Sequence, residues 1–361
     1  MKFDILVKNG FVVDGTGGSW YVSDIGVQDG KIIEVCKSLP SSGAEKILDA
    51  KGLVVSPGFI DMHAHSEVTY FVHPRAEAKI MQGVTTEVNC NCGTSCSGPL
   101  RGLAVEEAKR WMRQAGGNPD SVDWRDVSEY MGKLTKQGVS INAVCLVGFG
   151  TIRLGVMGWE NRAPTKEELS EMKALAATGM EDGCFGLSTG LFYTPQAFAE
   201  TDEVVEVAKT VAEYGGFHTA HDRRKGFEKD IRGGRAFLSS GMGDTMIEGV
   251  RECIAIGERS GMPSNWTHAK AVGKVNWGKH LADTMKEIYD ARQRGMDVTV
   301  DFYPWTGKGV MVIVPRWAEE GGHEKLVERM KDPETRKVLR EEIKERMEGV
   351  EAEWGWRETL I

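Results

Sequence analysis

The sequence predicts an α/β fold: a (β/α)8 TIM-like barrel, incomplete in this chain with about seven strands, preceded by a small N-terminal β-sandwich segment. Short apolar runs alternate with amphipathic helical stretches from Leu53 to Tyr303, which is the texture of βα units around a parallel sheet. The 361 residues hold one barrel of roughly 250 residues together with an annex. Glycine is abundant, 44 residues without any fixed period, which suits many tight strand-to-helix turns at positive φ.

Residues 1–52 are expected to form the annex, a small antiparallel β-sheet that is part of a β-sandwich domain. FDILVKNGFVVDG, DIGVQDGKIIEV and EKILDAKGLVV are short β runs, and their Asn-Gly and Asp-Gly pairs signal hairpins. The barrel is expected over 53–361. Its strands are LVVSPGFID (53–61), VTTEVNC (84–90), INAVCLVG (141–148), CFGLST (184–189), GFHTAH (216–221), PSNWTH (263–268) and DVTVDFY (297–303). Between them VEEAKRWMRQA, KEELSEMKALAATGM, DEVVEVAKTVAEYG, MIEGVRECIAIGERSG and LADTMKEIYDARQRG carry helical periodicity, and several stop at a glycine just past the last turn. After Tyr303 comes highly charged helical sequence ending in WGWRETLI, with no eighth buried strand; the barrel is therefore expected to lack its last strand and C-terminal segment.

Hydrophobic residues make up 41% and charged residues 27%, ordinary globular usage, and the net charge is −8. That balance argues against nucleic acid and anionic membranes as partners, which need clustered positive charge. MKFDILVKNG has no apolar signal-peptide core, and the best apolar stretch, Ala143 to Gly150, is far short of the ~18 residues of a membrane span. Seven cysteines, an odd number without small-domain spacing, point to a reducing cytoplasm rather than a disulfide scaffold.

Chemistry concentrates at strand ends. His63 and His65 follow the run PGFID at a spacing of two, which puts both imidazoles on one face of an extended chain. Two neutral imidazoles aimed at one point suit Zn²⁺, although eight histidines produce such a pair by chance easily enough. His221 and His268 end two further strands, and strand C-termini converge on one rim of a parallel barrel. Cys90, Cys92 and Cys96 lie at or just past the end of VTTEVNC and offer thiolates to the same rim or to a separate structural role. Cys90 continues the strand alternation and reads as packing. His218 faces away from His221 and reads as structural, and His73, His280 and His323 as surface residues. Asp61 reads equally as a partner of a ligand histidine or as a turn carboxylate.

In order along the chain, NGFVVDGTG, GLVVSPGFIDMHAH, QGVTTEVNCNCG, GLSTGLFYTP, YGGFHTAHDR, HAKAVGKVNWGK and DVTVDFYPW closely resemble the N-acyl-D-amino-acid deacylases (D-aminoacylases) of the amidohydrolase superfamily, over residues 3 to 340. The resemblance implies a tight zinc on Cys92, His221 and His268, and a second, weaker or vacant metal position on His63 and His65 with Cys92 bridging. It implies substrate contacts at Lys270, Tyr193 and Tyr303. The substrate it implies is a small-molecule amide, an N-acyl-D-amino acid or a related, even cyclic, amide.

Two local departures accompany it. Gly148-Phe149-Gly150 stands where Gly-His-Gly is usual, and Ala220-His221-Asp222-Arg223-Arg224-Lys225 is more charged than the usual form. The larger departure is that the family's general acid/base Asp, on the eighth strand, is expected beyond Ile361, so no catalytic carboxylate is assigned within the chain. A second polypeptide completing the barrel in a hetero-oligomeric split enzyme is the preferred explanation. A truncated chain, or a non-catalytic zinc-binding paralogue acting as a structural or partner subunit, are the others. A dihydropyrimidinase or dihydroorotase type is disfavoured because CFGLSTG has no lysine.

Overall fold

The computed structural model describes residues 2–223, 242–270, 280–302 and 314–342. Tyr303, Arg224, Lys225 and the tryptophan-rich C-terminal stretch lie outside the described residues, as does the side chain of His280. The chain divides into two compact units, Met1–Phe59 with Gly83–Thr85, and Ile60–Gln82 with Thr86–Ile361.

The first unit is built on a five-stranded sheet of β1 (Phe3–Val12), β2 (Tyr21–Gln28), β3 (Lys31–Cys36), β4 (Ala44–Asp49) and β5 (Val54–Val55). Asp29 and Gly30, at φ 51 and 72, turn β2 into β3 as a two-residue hairpin requires. Two expectations need correction. The sheet is mixed, because β4 and β5 both pair with β1 in parallel. Asn9-Gly10 is not a hairpin turn but an irregularity inside β1, where the register to β2 shifts between Val7 and Gly10. Asp24 holds that kink, since its buried carboxylate accepts from Asn9 N (2.9 Å), Leu39 N (2.9 Å) and Lys8 Nζ (2.8 Å). Phe3, Leu6 and Leu39 form the core, and Gly26 is required there because a Cβ would meet the Phe3 ring at 2.3 Å.

Next along the chain come β6 (Phe59–Asp61), which crosses into the second unit after Phe59, two single-turn helices α1 (Thr69–Val72) and α2 (Glu77–Ile80), and β7 (Val84–Val88), which belongs to the second unit from Thr86 on. Then come α3 (Leu103–Gln114), α4 (Val127–Gln137), β8 (Asn142–Val144), β9 (Val147–Gly148), α5 (Phe149–Met157), α6 (Lys166–Glu181) and β10 (Gly186–Gly190). The series continues through α7 (Thr201–Ala212), β11 (Phe217–His221), α8 (Met242–Ser260), β12 (Ser264–Trp266), α9 (His280–Gln293) and β13 (Val298–Val300). Two helices, α10 (Arg316–Glu319) and α11 (Gly322–Lys331), follow.

The strands make two sheets, β6-β7-β8 and β13-β12-β11-β10-β9, with β7–β8 and every neighbour in the second sheet paired in parallel. Because β8 and β9 are two pieces of one expected strand, the described residues contain seven strand positions of a (β/α) series. The run 53–61 is likewise split at Pro57-Gly58: β5 belongs to the first sheet and β6 to the barrel strands. Trp266, Ala220 and Val298 from β11–β13 pack on Val250, Cys253, Ile254, Ile288 and Ala291 of α8 and α9, which fixes the strand ends where the site lies. No helix among the described residues is long and apolar enough to cross a membrane.

Candidate metal centre

The strand ends carry their ligands on unusual backbone. Cys92 (φ 56) and His268 (φ 57) both adopt the left-handed conformation, as does Cys90 (φ 67). Non-glycine residues in that region are uncommon and cluster where the surroundings over-determine them. Those surroundings are identifiable. Buried Gln196 donates from Nε2 to the Cys92 carbonyl (2.9 Å) and accepts from Gly190 N (2.7 Å), tying the Cys92 turn to the end of β10. The Ser188 hydroxyl accepts from Gly93 N (3.1 Å) and donates to the Cys90 carbonyl.

Glycine-rich Gly148-Phe149-Gly150 completes the cradle. A Cβ on Gly148 or Gly150 would lie 2.8 Å from the Gly93 carbonyl oxygen, so both glycines are there to let the Cys92 loop approach. Phe149 is wholly buried, so the residue in the usual histidine's place packs in the core.

The five expected ligand residues meet. Cys92 Sγ lies 3.3 Å from His63 Nε2, 3.5 Å from His221 Nδ1 and 3.9 Å from His268 Nε2. Ligand atoms of His63, His65 and Cys92 fall within 4.8 Å of one another, and so do those of Cys92, His221 and His268. Tetrahedral zinc with Zn–S of ~2.3 Å and Zn–N of ~2.05 Å separates its sulfur and nitrogen ligands by ~3.6 Å, so the donor set fits in both type and spacing. His63 and His65 sit just past β6 in a loop rather than on the strand itself, with ring centroids 5.3 Å apart. Asp61 accepts from His63 N (3.0 Å) and pairs with Lys79 (2.6 Å), which also reaches the fully buried Glu87 (2.7 Å). It therefore orients the loop that carries both histidines.

Other expected residues fall as follows. The Tyr193 ring lies 4.8 Å from that of His221, tilted by 57°, and burial, with Cys92 beside it, pushes its phenol well up, so it stays protonated as a donor. Lys270 is half-buried, two residues past His268. Cys90 and Cys96 are buried away from the ligand cluster, with thiols pushed well up by burial; Cys90 Sγ lies 3.1 Å from Ser97 Oγ. His218 is fully buried against Thr189 Oγ1 (2.9 Å), and His73 and His323 are exposed.

The charges around His221 are structural. Asp222 accepts from Trp266 Nε1 (2.6 Å), and Arg223 binds Glu252 (3.1 Å) and the carbonyls of Ala197 (3.0 Å) and Ala199 (2.8 Å). Sequence reasoning missed Gln196, Ser188 and Asp301. The last lies at the end of β13, within 4.8 Å of ligand atoms of His63 and His268. One signal could have found it: like His221 and His268, it is a metal-ligand residue type at a barrel strand's C-terminal end.

Residues 46–290 match the model of the amidohydrolase family. The chain is 34% identical over 316 residues to N-acyl-D-glutamate deacylase of Alcaligenes xylosoxydans xylosoxydans, covering 87% of this chain and 59% of that protein. The solved N-acyl-D-glutamate deacylase of Bordetella bronchiseptica, complexed with zinc and a phosphonate inhibitor that mimics the tetrahedral intermediate, superimposes with a TM-score of 0.74 at 32% identity, over 87% of this chain and 61% of that one. A D-aminoacylase structure described by its binuclear metal centre, with one-metal activation and second-metal attenuation, gives 0.71 at 29% identity over 94% and 69%. The chain thus spans about three-fifths of the length of the first two of these relatives.

Proposed function

The chain belongs to the amidohydrolase family, and on that premise we propose that it acts as a zinc-dependent hydrolase of the C–N bond in N-acyl-D-amino acids or a related, including cyclic, amide. The observation that carries this reading is the approach of Cys92 Sγ to three imidazoles at zinc-like spacing. The deacylases that the chain resembles support the substrate class.

In this reading Cys92, His221 and His268 would hold the tight zinc, and His63 and His65, beside Cys92, would hold a second, weaker position. Zinc bound there supplies Lewis acidity that polarises an amide carbonyl and acidifies water. The chain's own groups do the rest. Lys270 pairs with the carboxylate of the acyl amino acid and fixes its orientation. The protonated phenol of Tyr193, beside His221, donates to the substrate; Tyr303 is proposed to line the same pocket.

No general acid/base carboxylate is assigned among the described residues, and a second polypeptide, in a cytoplasmic hetero-oligomer, is proposed as a partner that contributes one. Exposed apolar side chains on β3, Ile33 and Val35 two residues apart among them, leave surface on the first unit's sheet for such a partner. The test is hydrolysis of a panel of N-acyl-D- and N-acyl-L-amino acids by the zinc-loaded chain, alone and with the polypeptide encoded beside it. Turnover of D-substrates only with the neighbour is the expected result. Silence in both arms, with zinc bound, would favour a zinc-binding subunit without chemistry of its own.

A further inference from the structure

We propose that Asp301 is a carboxylate of this metal centre, a positioning residue that holds His268 in its ligating conformation and a ligand for a divalent cation shared with His63 and His268. The inference deepens the zinc reading and rests on it. Asp301 follows β13 directly, and both its main chain and its side chain grip the segment that carries His268. Asp301 N donates to the Trp266 carbonyl (3.2 Å), and the Asp301 carbonyl accepts from Ala269 N (2.8 Å). Asp301 Oδ1 accepts from His268 N (3.1 Å). Hydrogen bonds thus arrive on both sides of a histidine whose backbone is left-handed at φ 57, a conformation that costs free energy unless its surroundings impose it.

The other carboxylate oxygen faces the ligands. Asp301 Oδ2 lies 3.9 Å from His63 Nδ1 and accepts from Asn265 Nδ2 (2.6 Å). Thr299 Oγ1 donates to Asn265 Oδ1 (2.8 Å), which fixes the orientation of that amide and makes its nitrogen the donor toward Asp301. The chain Thr299, Asn265, Asp301 and His268 is a relay of oriented hydrogen bonds ending on a metal ligand, the arrangement that tunes metal sites from outside the ligand sphere. Oxygen and two nitrogens within 4.8 Å form a mixed donor set of the kind divalent zinc accepts.

The experiment compares zinc affinity, by competition with a chromophoric chelator, in the wild-type chain, D301A and D301N, together with the visible absorption of the cobalt-substituted forms and the thermal midpoints of the metal-free proteins. D301A removes both functions and is expected to bind zinc ~10–100-fold more weakly, with a shifted cobalt spectrum. D301N preserves the shape but replaces one of the two acceptor oxygens with an NH2 group that faces a donor, either His268 N or Asn265 Nδ2; it is expected to lose ~10-fold and to decide the matter if D301A does not fold. Zinc affinity within ~3-fold of wild type in the folded variants, with unchanged cobalt spectra, overturns the proposal, whatever happens to the metal-free midpoint, since a strand-end buttress alone would move only that midpoint. A wild-type chain that takes up no zinc sinks the reading beneath it as well, so the two failures are distinguishable.

Discussion

Acidification is predicted to destabilise the protein through one buried imidazole outside the ligand set. His218 is fully enclosed in β11, between Thr189 of β10 at 2.9 Å and Ser264 of β12 at 3.5 Å, and burial lowers its pKa from 6.5 to about 4. The folded protein therefore resists protonation that the unfolded chain accepts below pH 6.5. The stability that neutral His218 permits is complete above pH 6.5 and is lost as pH falls toward 4. Each pH unit in that window costs about 1.4 kcal/mol, so the loss at pH 4.5 relative to pH 7 is about 2.5 kcal/mol.

Urea unfolding of the metal-free chain at pH 7, 6, 5 and 4.5, set against His218→Asn, isolates the contribution from that of the other histidines. The variant should be less stable at pH 7, because it leaves a cavity, yet its stability should fall less steeply with acid by about 2.5 kcal/mol over the range. A His218 ring resonance in the folded protein that titrates near 6.5, or equal slopes for the two proteins, would refute the reasoning.

Three further outcomes are expected. Arg153, wholly buried, bonds Glu203 (2.9 Å) and the carbonyls of Glu160, Pro195 and Arg162; Arg153→Met strands the buried Glu203 carboxylate, and denaturant midpoints should report a loss of ~3–5 kcal/mol, a loss under ~1 counting against it. Gly190→Ala would place a Cβ 2.2 Å from the Cys92 carbonyl oxygen, so chelator competition should show weaker zinc binding, and an unchanged affinity would mean that the Cys92 turn is softer than its packing implies. At Asp24 burial works to raise the carboxyl pKa, but the Lys8 ammonium and the Leu39 and Asn9 amides hold it below its usual value. Its stabilisation is thus present above pH ~4 and lost below, so Asp24→Ala should speed amide exchange in β1–β3 at neutral pH while zinc affinity stays within ~2-fold.

The sequence exposed most of this architecture where apolar runs and helix periods were regular. It failed at particular places for physical reasons. α5 went unread because Phe149, Gly150, Thr151, Ile152, Arg153, Leu154 and Met157 are all buried, which leaves no polar face to mark a helical period. Asn9-Gly10 looked like a turn because a left-handed Asn before Gly is one, whereas Asp24, remote in sequence, converts it to a kink within β1. At the site, Cys92, His63, His65, His221 and His268 were legible because thiol and imidazole groups are scarce and fell at strand ends. Gln196 and Ser188 were not, since an amide and a hydroxyl carry no chemistry until the fold brings Cys90 and Cys92 carbonyls to them. Asp301 was passed over because carboxylates are common in acidic chains, and only the approach of β12 to β13 sets it against His268.

The central claim is that Cys92 and the strand-end imidazoles hold zinc together, and X-ray absorption at the zinc edge of the loaded protein tests it most directly. The account predicts one sulfur neighbour at ~2.3 Å with nitrogen or oxygen neighbours at ~2.0–2.1 Å, and loss of the sulfur signal in Cys92→Ser. A zinc shell made only of nitrogen and oxygen in the wild-type chain would contradict it.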